Sequence, residues 1–337
     1  MKNNFAFSQI SASEFDSLAR SLAPVKIPIE QTPLWGAFDE SLPNRTFLGS
    51  FRYDDGDHLV AVASATLYQQ KGRDWIWIKH GPLFAHEPNT EMIKKMCSTL
   101  KKQFSHIQNT TPLFVRLSLP NHINEVKQPF EHTMYDETVI IDLEKSDDEI
   151  LAGMSQGGRR SLRKAQKEAL TVHEYSGQDA VGEFKQHCYE ILKETATRDR
   201  FGIHPESLYT NMLEKLPENA KLYTISHKNS VVAWAITTEY ANHALYYYGG
   251  SNAAARDLHA PYLLHWEIMQ KMKQRGNQSY DFMGIAGSNY PELASVTTFK
   301  LKFSKEATKV RPAYDLPLQP LKYRFMATAI KLKRKLR

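Results

Sequence analysis

The segment Tyr246-Tyr-Tyr248-Gly-Gly-Ser251-Asn252 ends a predicted strand, and a helix starts shortly after it at Pro261. Proline favours the first position of a helix because the N–H that it lacks would have no partner there. The helix is predicted to run to about Arg275, and a strand follows over Ser279–Phe282. Two strands come before the segment, Lys221–Ser226 and Val231–Glu239, so the order is three strands, glycines, a helix and a strand.

The first half of the chain shows the same order with little residue identity. Its predicted elements are strands Thr46–Arg52, Leu59–Tyr68 and Asp74–Lys79, the glycine of Gly81-Pro82, a helix over Asn89–Phe104 and strand Leu113–Ser118. This repeat of pattern predicts an α+β protein with two domains of one architecture, each with a mainly antiparallel sheet flanked by helices. We place the boundary near Lys145, after a strand over Thr138–Leu143. The domains are then 1–145 and 146–316, and a C-terminal helix over 317–337 packs back on the first domain.

The size and composition agree with a two-domain protein. The chain has 337 residues, of which 42% are hydrophobic and 24% charged, as in ordinary globular proteins. Its two cysteines exclude a disulfide framework and a cysteine-rich zinc module. Because neither a secretory signal nor a membrane-spanning run is visible, we expect a cytoplasmic protein.

The C-terminal tail carries the charge imbalance of the chain, whose net charge is +6. No acidic residue follows Asp315. Leu318, Leu321, Phe325, Ala329, Leu332 and Leu336 recur at helical spacing and predict one apolar face with cations around it. That helix either closes the body of the protein with this face, or it is attracted to an anionic membrane or to RNA phosphates.

A second basic cluster starts at three glycines, Gly153, Gly157 and Gly158. Helical spacing stacks Arg159, Arg163 and Lys167 on one side, with Arg160 and Lys164 beside them. Like charges at this spacing repel one another, and a phosphate-rich ligand would remove that cost. A solvated helix face explains the run equally well.

Other catalytic patterns find little support. Gly153-Met-Ser155-Gln-Gly157 matches a nucleophile elbow, but a predicted helix precedes it where a strand is required. Cys97 and Cys188 sit among apolar residues at helical spacing and are predicted to lie in the core. No metal site is expected, since neither Glu183 with His187 nor Glu239 with His243, the two Glu–His pairs at i, i+4 spacing, has a third ligand evident nearby.

The densest segment is Tyr280-Asp281-Phe-Met-Gly284-Ile-Ala-Gly287, followed by Thr298-Phe299-Lys300-Leu-Lys302-Phe303. A strand that ends in glycines suits close approach of a ligand to the backbone. Alternation over Thr298–Phe303 predicts a further strand, with aromatic residues on one face and Lys300 and Lys302 on the other.

Taken in order, these segments resemble the Fem family of non-ribosomal peptidyltransferases. The resemblance covers nearly the whole chain and is strongest from about Asp142 to Arg311. The matching pieces are Gln31-Thr-Pro-Leu-Trp35, Lys79-His-Gly-Pro82, Arg159-Arg-Ser-Leu-Arg-Lys-Ala165, Arg200-Phe-Gly-Ile203, Tyr248-Gly-Gly-Ser251, Ala260-Pro-Tyr262, Tyr280-Asp-Phe-Met-Gly284 and Phe299-Lys300.

The resemblance implies two tandem GNAT-like domains and an aminoacyl-tRNA-dependent transferase that adds amino acids to the stem peptide of a peptidoglycan precursor. It places Phe299 and Lys300 at the catalytic channel. The substrate-binding residues that it implies are Trp35, Lys79, Arg200, His204, Tyr248, Ser251 and Asp281. Those implied for tRNA binding are Arg159, Arg160, Arg163 and Lys164.

Departures from the family pattern narrow the expected acceptor. Asp39 and Ser118 stand where the member that acts on the UDP-linked precursor has a lysine and an acidic residue. The substrate-binding arginine of that member falls near His204 here. These changes favour a lipid-linked precursor, or a related acceptor, over the UDP-linked precursor, although both forms stay among the expected partners. The long coiled-coil arm of some members is also missing, because the helix near Ser207–Leu216 leads at once into Ala220.

The expected partners are therefore an aminoacyl-tRNA, as co-substrate, and the precursor. No other cofactor is expected. The protein is expected to act as a monomer, with peripheral membrane contact through its basic tail. Two alternatives remain, which are N-acyl transfer from acyl-CoA and a non-catalytic RNA- or membrane-binding role. The loop that binds the CoA pyrophosphate precedes neither candidate helix.

Overall fold

The two predicted sheets belong to two separate units of the chain. The computed structural model describes residues 5–22, 26–70, 72–107, 109–131, 134–199, 201–287 and 293–335. The first unit comprises Met1–Met134 and Arg311–Arg337, and the second comprises Tyr135–Val310. Each has its own sheet and its own hydrophobic core.

The first unit begins with elements that follow the predicted pattern closely. Helix α1 opens with a capping box between Ser11 and Glu14, and Asn89 caps α3. The elements are β1 (Phe5–Ile10), α1 (Ala12–Ser21), α2 (Pro33–Glu40), β2 (Arg45–Asp55), β3 (His58–Tyr68), β4 (Trp75–Ile78), β5 (Leu83–Phe84), α3 (Thr90–Phe104) and β6 (Phe114–Ser118).

The second unit repeats the arrangement with more helices. Its strand β8 has no counterpart in the sequence prediction. The elements are β7 (Glu137–Asp142), α4 (Asp147–Gly153), α5 (Gln156–Ala165), β8 (Leu170–Tyr175), α6 (Gly177–Glu183), a π-helical turn (Phe184–Cys188), α7 (Tyr189–Asp199), α8 (Glu206–Lys215), β9 (Ala220–His227), β10 (Ser230–Tyr240), β11 (His243–Ser251), α9 (Ala253–Asp257), α10 (Ala260–Gln274), β12 (Ser279–Ile285), α11 (Ala294–Lys300) and β13 (Thr308–Lys309).

The chain then returns to the first unit through β14 (Ala313–Pro317) and α12 (Pro320–Lys335). Helix α12, with 16 residues, is the longest in the described residues, so these contain no coiled-coil arm. None of the helices in the described part of the chain has the length and apolarity needed to cross a bilayer.

Each sheet contains one parallel pair among antiparallel neighbours. The first runs β1-β2-β3-β4-β6-β14, with β5 on β3, and the second runs β13-β7-β12-β11-β10-β9-β8. The parallel pairs are β4 with β6 and β11 with β12. A parallel pair needs a long crossover, and α3 and α10 provide it in the two units. This equivalence confirms the repeat that the sequence predicted.

The predicted boundary near Lys145 is wrong because it assigns β7 to the first domain. Strand β7 pairs antiparallel with β12, for example Tyr280 with Ile141, so it belongs to the second sheet. The second unit likewise ends at Val310, before β14 enters the first sheet beside β6. Local pattern does not reveal either change, since both depend on pairing between residues far apart in sequence.

A buried ion pair joins the returning segment to the first sheet. Arg116 on β6 donates through Nε and Nη2 to the two carboxylate oxygens of Asp315 on β14, at 2.7 and 3.0 Å. Both side chains are almost fully buried, at 2% and 0% exposed. The hydroxyl of Tyr323 on α12 donates to the same carboxylate at 2.8 Å, so one network holds both returning elements.

Asp315→Ala is expected to lower the free energy of unfolding by about 3–5 kcal/mol, because it removes the carboxylate that balances the buried Arg116 charge. Chemical denaturation of the whole protein measures the change. The matched control is Asp54→Ala, which removes an aspartate from a partly exposed pair with Arg52. That change is expected to cost less than about 1 kcal/mol. Equal losses for the two variants would contradict a structural role for the buried pair.

Candidate functional site

The candidate site of the second unit lies where β11 loses its parallel partner. β11 pairs with β12 only from His243 to Leu245, opposite Ser279 to Asp281. Farther along, β12 continues to pair with β7 at Gly284 and Ile285. A cavity of about 420 Å³ lies along the part of β11 that has no partner on this side.

Six elements supply the walls of this cavity, and most of the lining side chains are apolar or aromatic. Such a cavity, with few polar groups, is typical of a ligand site. The lining residues include Thr195, Arg198 and Asp199 at the end of α7, Ala233 and Trp234 on β10, Tyr246 and Gly249–Ser251 on β11, Arg256 of α9, His259, Pro261, Tyr262, Leu264 and His265 around the start of α10, and Val296 and Phe299 on α11.

A β-bulge in β11 directs Tyr246 toward this wall. The register shifts so that Ile236 faces Tyr248 and Thr237 faces Tyr246, which makes Tyr247 the extra residue. The Tyr246 ring lies edge-on to His265, with 4.5 Å between ring centroids. Gly249 allows this placement, because a Cβ there would overlap the Tyr246 ring.

Lys300 lies behind the cavity wall with its ammonium group buried. Its Nζ donates to the carbonyl oxygens of Gly284 at 2.7 Å and Met283 at 3.2 Å, and it lies 6.0 Å from the centroid of the Tyr246 ring. The residue is 8% exposed. Burial lowers the pKa of Lys300 to about 8, although the nearby Asp281 carboxylate opposes the shift.

The predicted strand over Thr298–Phe303 is wrong, since α11 runs to Lys300 and a turn follows. Phe299 and Phe303 satisfy helical spacing as well as alternation, and both rings pack on Tyr262. The prediction that Lys300 and Lys302 share one exposed face fails with it. Phe299 lines the cavity, whereas Lys300 points inward.

His265 is a neutral member of the wall. Its Nδ1 lies 2.9 Å from the Tyr280 hydroxyl. Burial, followed by the positive charge of Lys300, lowers the pKa of His265 to about 3. An imidazole with so low a pKa is a poor proton acceptor at neutral pH, so His265 is unsuited to act as a general base.

The polar part of the cavity favours anions. The exposed Arg256 and the N-terminus of α10, which begins after His259, both line it. A helix N-terminus and a guanidinium group each attract negative charge. Arg198 is already engaged, because it donates to the Ser251 carbonyl oxygen at 2.7 Å and pairs with Asp199. Sequence analysis missed these residues, since only the fold brings them together.

The substrate residues implied by the resemblance fall into separate groups in the second unit. Ser251 lines the cavity. Tyr248 and His204 lie close together, with 6.3 Å between ring centroids, although neither lines the cavity. Asp281 is buried and accepts hydrogen bonds from the Thr138 hydroxyl and the Met283 amide. Arg200 lies outside the described residues.

The predicted basic helix is α5. One of its four candidates for tRNA binding, Arg159, is hydrogen-bonded within the protein. Arg159 donates to the carbonyl oxygens of Leu151, Ala152 and Met154 at the end of α4. The other three, Arg160, Arg163 and Lys164, are exposed to solvent.

The remaining two predicted residues, Trp35 and Lys79, meet in the first unit. Lys79 Nζ lies 4.9 Å from the centroid of the Trp35 ring and 3.5 Å from Oε1 of the buried Glu30. This is a cation held between an aromatic face and a carboxylate.

Ser155, Cys97 and Cys188, the residues considered as nucleophiles, have roles in helix capping or in the core. Ser155 caps α5 and follows α4, so the sequence match to a nucleophile elbow has the wrong context. Cys97 and Cys188 are buried, and burial raises both thiol pKa values, that of Cys97 to about 12. Among the described residues, no group of three or more metal-ligating side chains is found.

Solved structures with the same fold are found for nearly the full chain. The structure of FemX has a TM-score of 0.76 at 15% identity and covers 96% of this chain and 100% of that one. The C-terminal domain (DUF2156) of a putative lysylphosphatidylglycerol synthetase from Agrobacterium fabrum has a TM-score of 0.55 at 12% identity, with coverage of 95% and 96%. A tandem GNAT protein from the clavulanic acid biosynthesis pathway has a TM-score of 0.54 at 12% identity, with coverage of 94% and 99%.

These likenesses show the fold, in which two GNAT-like domains follow one another in one chain. The family follows from the sequence itself. A model of the FemAB family matches residues 127–229 and 224–331, which is more than half of the chain. The chain belongs to the FemAB family, and this membership supports a transferase.

Burial of Lys300 has a measurable consequence for stability. Because the folded-state pKa of about 8 lies below the usual 10.5, the unfolded chain binds more protons between these values. The free energy of unfolding is therefore expected to rise with pH in this window, by up to about 3 kcal/mol. Urea unfolding at pH 7.5 to 10 of the wild type and Lys300→Met tests this.

As the pH rises, the free energy of unfolding of the wild type should increase relative to that of Lys300→Met. Lys302→Met is the control, because it removes a lysine from the same segment at a site that is only half-buried. A difference between wild type and Lys300→Met that is constant across the pH range would contradict burial of this ammonium group.

Proposed function

We propose that the protein transfers an amino acid from an aminoacyl-tRNA to the stem peptide of a peptidoglycan precursor. The reaction contributes to formation of the cell-wall cross-bridge and takes place in the cytoplasm, at the inner face of the membrane. The proposal rests on membership of the FemAB family and on one feature of the second unit. That feature is the cavity beside β11, which has the buried Lys300 ammonium group behind its wall.

The charge of Lys300 suits the chemistry of aminoacyl transfer. The amine of the stem peptide attacks the ester carbonyl carbon and forms a C–N bond, and negative charge develops on the carbonyl oxygen. The C–O bond to the tRNA ribose then breaks, and the ribose oxygen leaves with a proton. From behind the cavity wall, the buried ammonium group stabilises this charge more strongly than it would through water.

The ester is already activated, so positioning of the two substrates supplies much of the acceleration. The apolar wall formed by Phe299, Tyr262 and Tyr246 excludes water that would hydrolyse the ester. With His265 neutral and weakly basic, the amine proton passes to the leaving ribose oxygen or to solvent.

The end of the tRNA carries phosphates, and the polar part of the cavity suits them. Arg256 and the N-terminus of α10 provide positive potential there. The exposed face of α5, with Arg160, Arg163 and Lys164, provides a second basic surface on the same unit. Phosphate contacts of this kind position a nucleic acid without reading its sequence.

The acceptor in this proposal is a lipid-linked precursor. Asp39 stands where the resembled enzyme for the soluble nucleotide-linked precursor has a lysine. Its side chain is 3% exposed and pairs with Arg45 at 2.7 Å. A buried, paired carboxylate gives a pyrophosphate no favourable contact, which argues against the UDP-linked form.

The first test measures transfer with charged tRNA species and with UDP-linked and lipid-linked precursors. The wild type is expected to form the amide product with the lipid-linked form. Lys300→Met is expected to lower the rate on the order of 100-fold. The control Lys302→Met should retain most of the activity.

A folded Lys300→Met enzyme with the wild-type rate would remove the proposed role of this residue. Acyl-CoA serves as a rival donor in the same assay. A short helix, α9, stands before α10 in place of a pyrophosphate-binding loop, so no CoA-dependent acyl transfer is expected. Transfer from acyl-CoA without transfer from tRNA would overturn the proposal.

A second test concerns the basic face of α5. Arg160→Glu, Arg163→Glu and Lys164→Glu together are expected to raise the KM for aminoacyl-tRNA at least tenfold, because phosphate contacts dominate nucleic-acid affinity. The salt dependence of tRNA binding should also become weaker. In contrast, Arg159→Ala should mainly lower stability, since Arg159 caps α4. An unchanged KM in the triple variant would exclude this face as the tRNA surface.

A further inference from the structure

Helix α12 has two apolar faces, and only one of them is docked. Tyr323, Met326, Ala327 and Ile330 pack against the aromatic cluster of Trp75, Phe114 and Phe130 in the first unit. At about 100° per residue these four side chains lie on one side of the helix. This side of α12 is therefore the face that packs on the first unit.

The second apolar face points away from the body. We call it the outer stripe and define it by Leu321, Phe325 and Leu332, which are 86%, 75% and 57% exposed. At the same helical rotation they fall within about 40° of one another, opposite the docked face. Of the alternatives that the sequence left open, closure of the body by the face with these residues is therefore excluded. The docked face is the other one.

Cations border the outer stripe on both sides. Lys322 and Lys333 follow one edge of it, and Arg324 and Lys331 follow the other. All four are exposed, and no acidic residue follows Asp315 in the chain. Large exposed apolar side chains on a soluble surface mark an interaction site, and here the site has a uniformly positive border.

We propose that α12 docks on an anionic membrane surface, with the outer stripe at the boundary of headgroups and acyl chains and the four cations on lipid phosphates. An apolar stripe between rows of lysine and arginine is the pattern of a helix that lies in the plane of a membrane interface. The assignment rests on the exposure and charge of α12 and is independent of the proposed transfer reaction.

Other occupants fit this face less well. RNA would satisfy the cations but would leave Leu321 and Phe325 without apolar contacts. A second copy of the chain would cover the apolar stripe but would bring two sets of like charges together. An anionic lipid surface satisfies both the stripe and its border.

The experiment uses the full-length protein and large unilamellar vesicles of phosphatidylcholine, alone or with 30 mol% phosphatidylglycerol, in a co-sedimentation assay. Binding to the anionic vesicles is expected, with a much weaker partition to the neutral ones. Arg324→Gln together with Lys331→Gln should lower the partition coefficient roughly 25-fold, since each cation near an anionic surface contributes about fivefold.

Leu321→Ser with Phe325→Ser should lower binding at least tenfold, because these side chains lose their apolar contact. Phe7→Ser is the matched control, since Phe7 is also an exposed aromatic residue, 40% exposed, and lies on β1. The control should bind vesicles as the wild type does. The α12 variants should unfold at nearly the wild-type midpoint, because the exchanged side chains are exposed.

A fluorescence measurement locates the contact. Cys97 and Cys188 are buried, so Phe325→Cys allows an environment-sensitive thiol dye to be attached selectively on the outer stripe. Its emission should shift to the blue with anionic vesicles, whereas the same dye at Phe7→Cys should not respond.

Three results would overturn the proposal. They are vesicle binding that the α12 substitutions leave unchanged, a wild-type dimer that these substitutions convert to a monomer, and loss of tRNA binding in the same variants without any vesicle binding by the wild type. Failure of aminoacyl transfer with every tRNA would overturn the proposed function alone, because the vesicle assay does not depend on turnover.

Discussion

The early end of the pairing between β11 and β12 is the constraint on which the candidate site depends. A full-length parallel pair would satisfy the backbone of both strands and leave no room between them. Here three residues of β11 pair, and β12 then continues only with β7. The crossover helix α10 begins next to the unpaired end of β11, so its positive N-terminus lies beside the cavity. Topology therefore places an apolar wall, a helix terminus and a buried cation together in one unit.

Burial of the Lys300 ammonium group costs free energy on folding, and the surrounding groups offset only part of this cost. The backbone at Met283 has φ 57°, and the carbonyl groups of Met283 and Gly284 both accept from the ammonium. A side chain at Gly284 would overlap the Tyr135 ring, so glycine is needed there. Two carbonyl oxygens replace part of the lost hydration, but the lowered pKa of Lys300 indicates that the charge remains unfavourable there. A buried ammonium group with a shifted pKa beside a cavity is a candidate for a functional position.

Local pattern predicted the elements well where one periodicity dominated. The order of three strands, glycines, a helix and a strand was predicted in both halves, and Pro261 placed the start of α10. The parallel pair that each of these helices bridges was not predicted. Prediction failed where two patterns coincided or where distant residues decided the outcome. Phe299 and Phe303 fit a strand and a helix equally well, and packing on Tyr262 selects the helix. The place of β7, the polar residues around the cavity and the capping role of Arg159 all depend on contacts that the order of residues does not contain.

The docking of α12 is a further case that local pattern does not decide and a contact between distant residues does. An amphipathic pattern reveals that a helix has an apolar face, but it does not reveal which face will dock when two are apolar. The Tyr323 hydroxyl decides the matter, because it reaches Asp315 within the buried pair with Arg116 while its ring packs on Phe114. This contact fixes the rotation of α12 about its axis. Turning the helix by half a turn to bury Leu321 and Phe325 would break that hydrogen bond and leave the buried carboxylate short of a donor. The network that closes the first sheet therefore also keeps the basic, apolar face of α12 turned toward solvent.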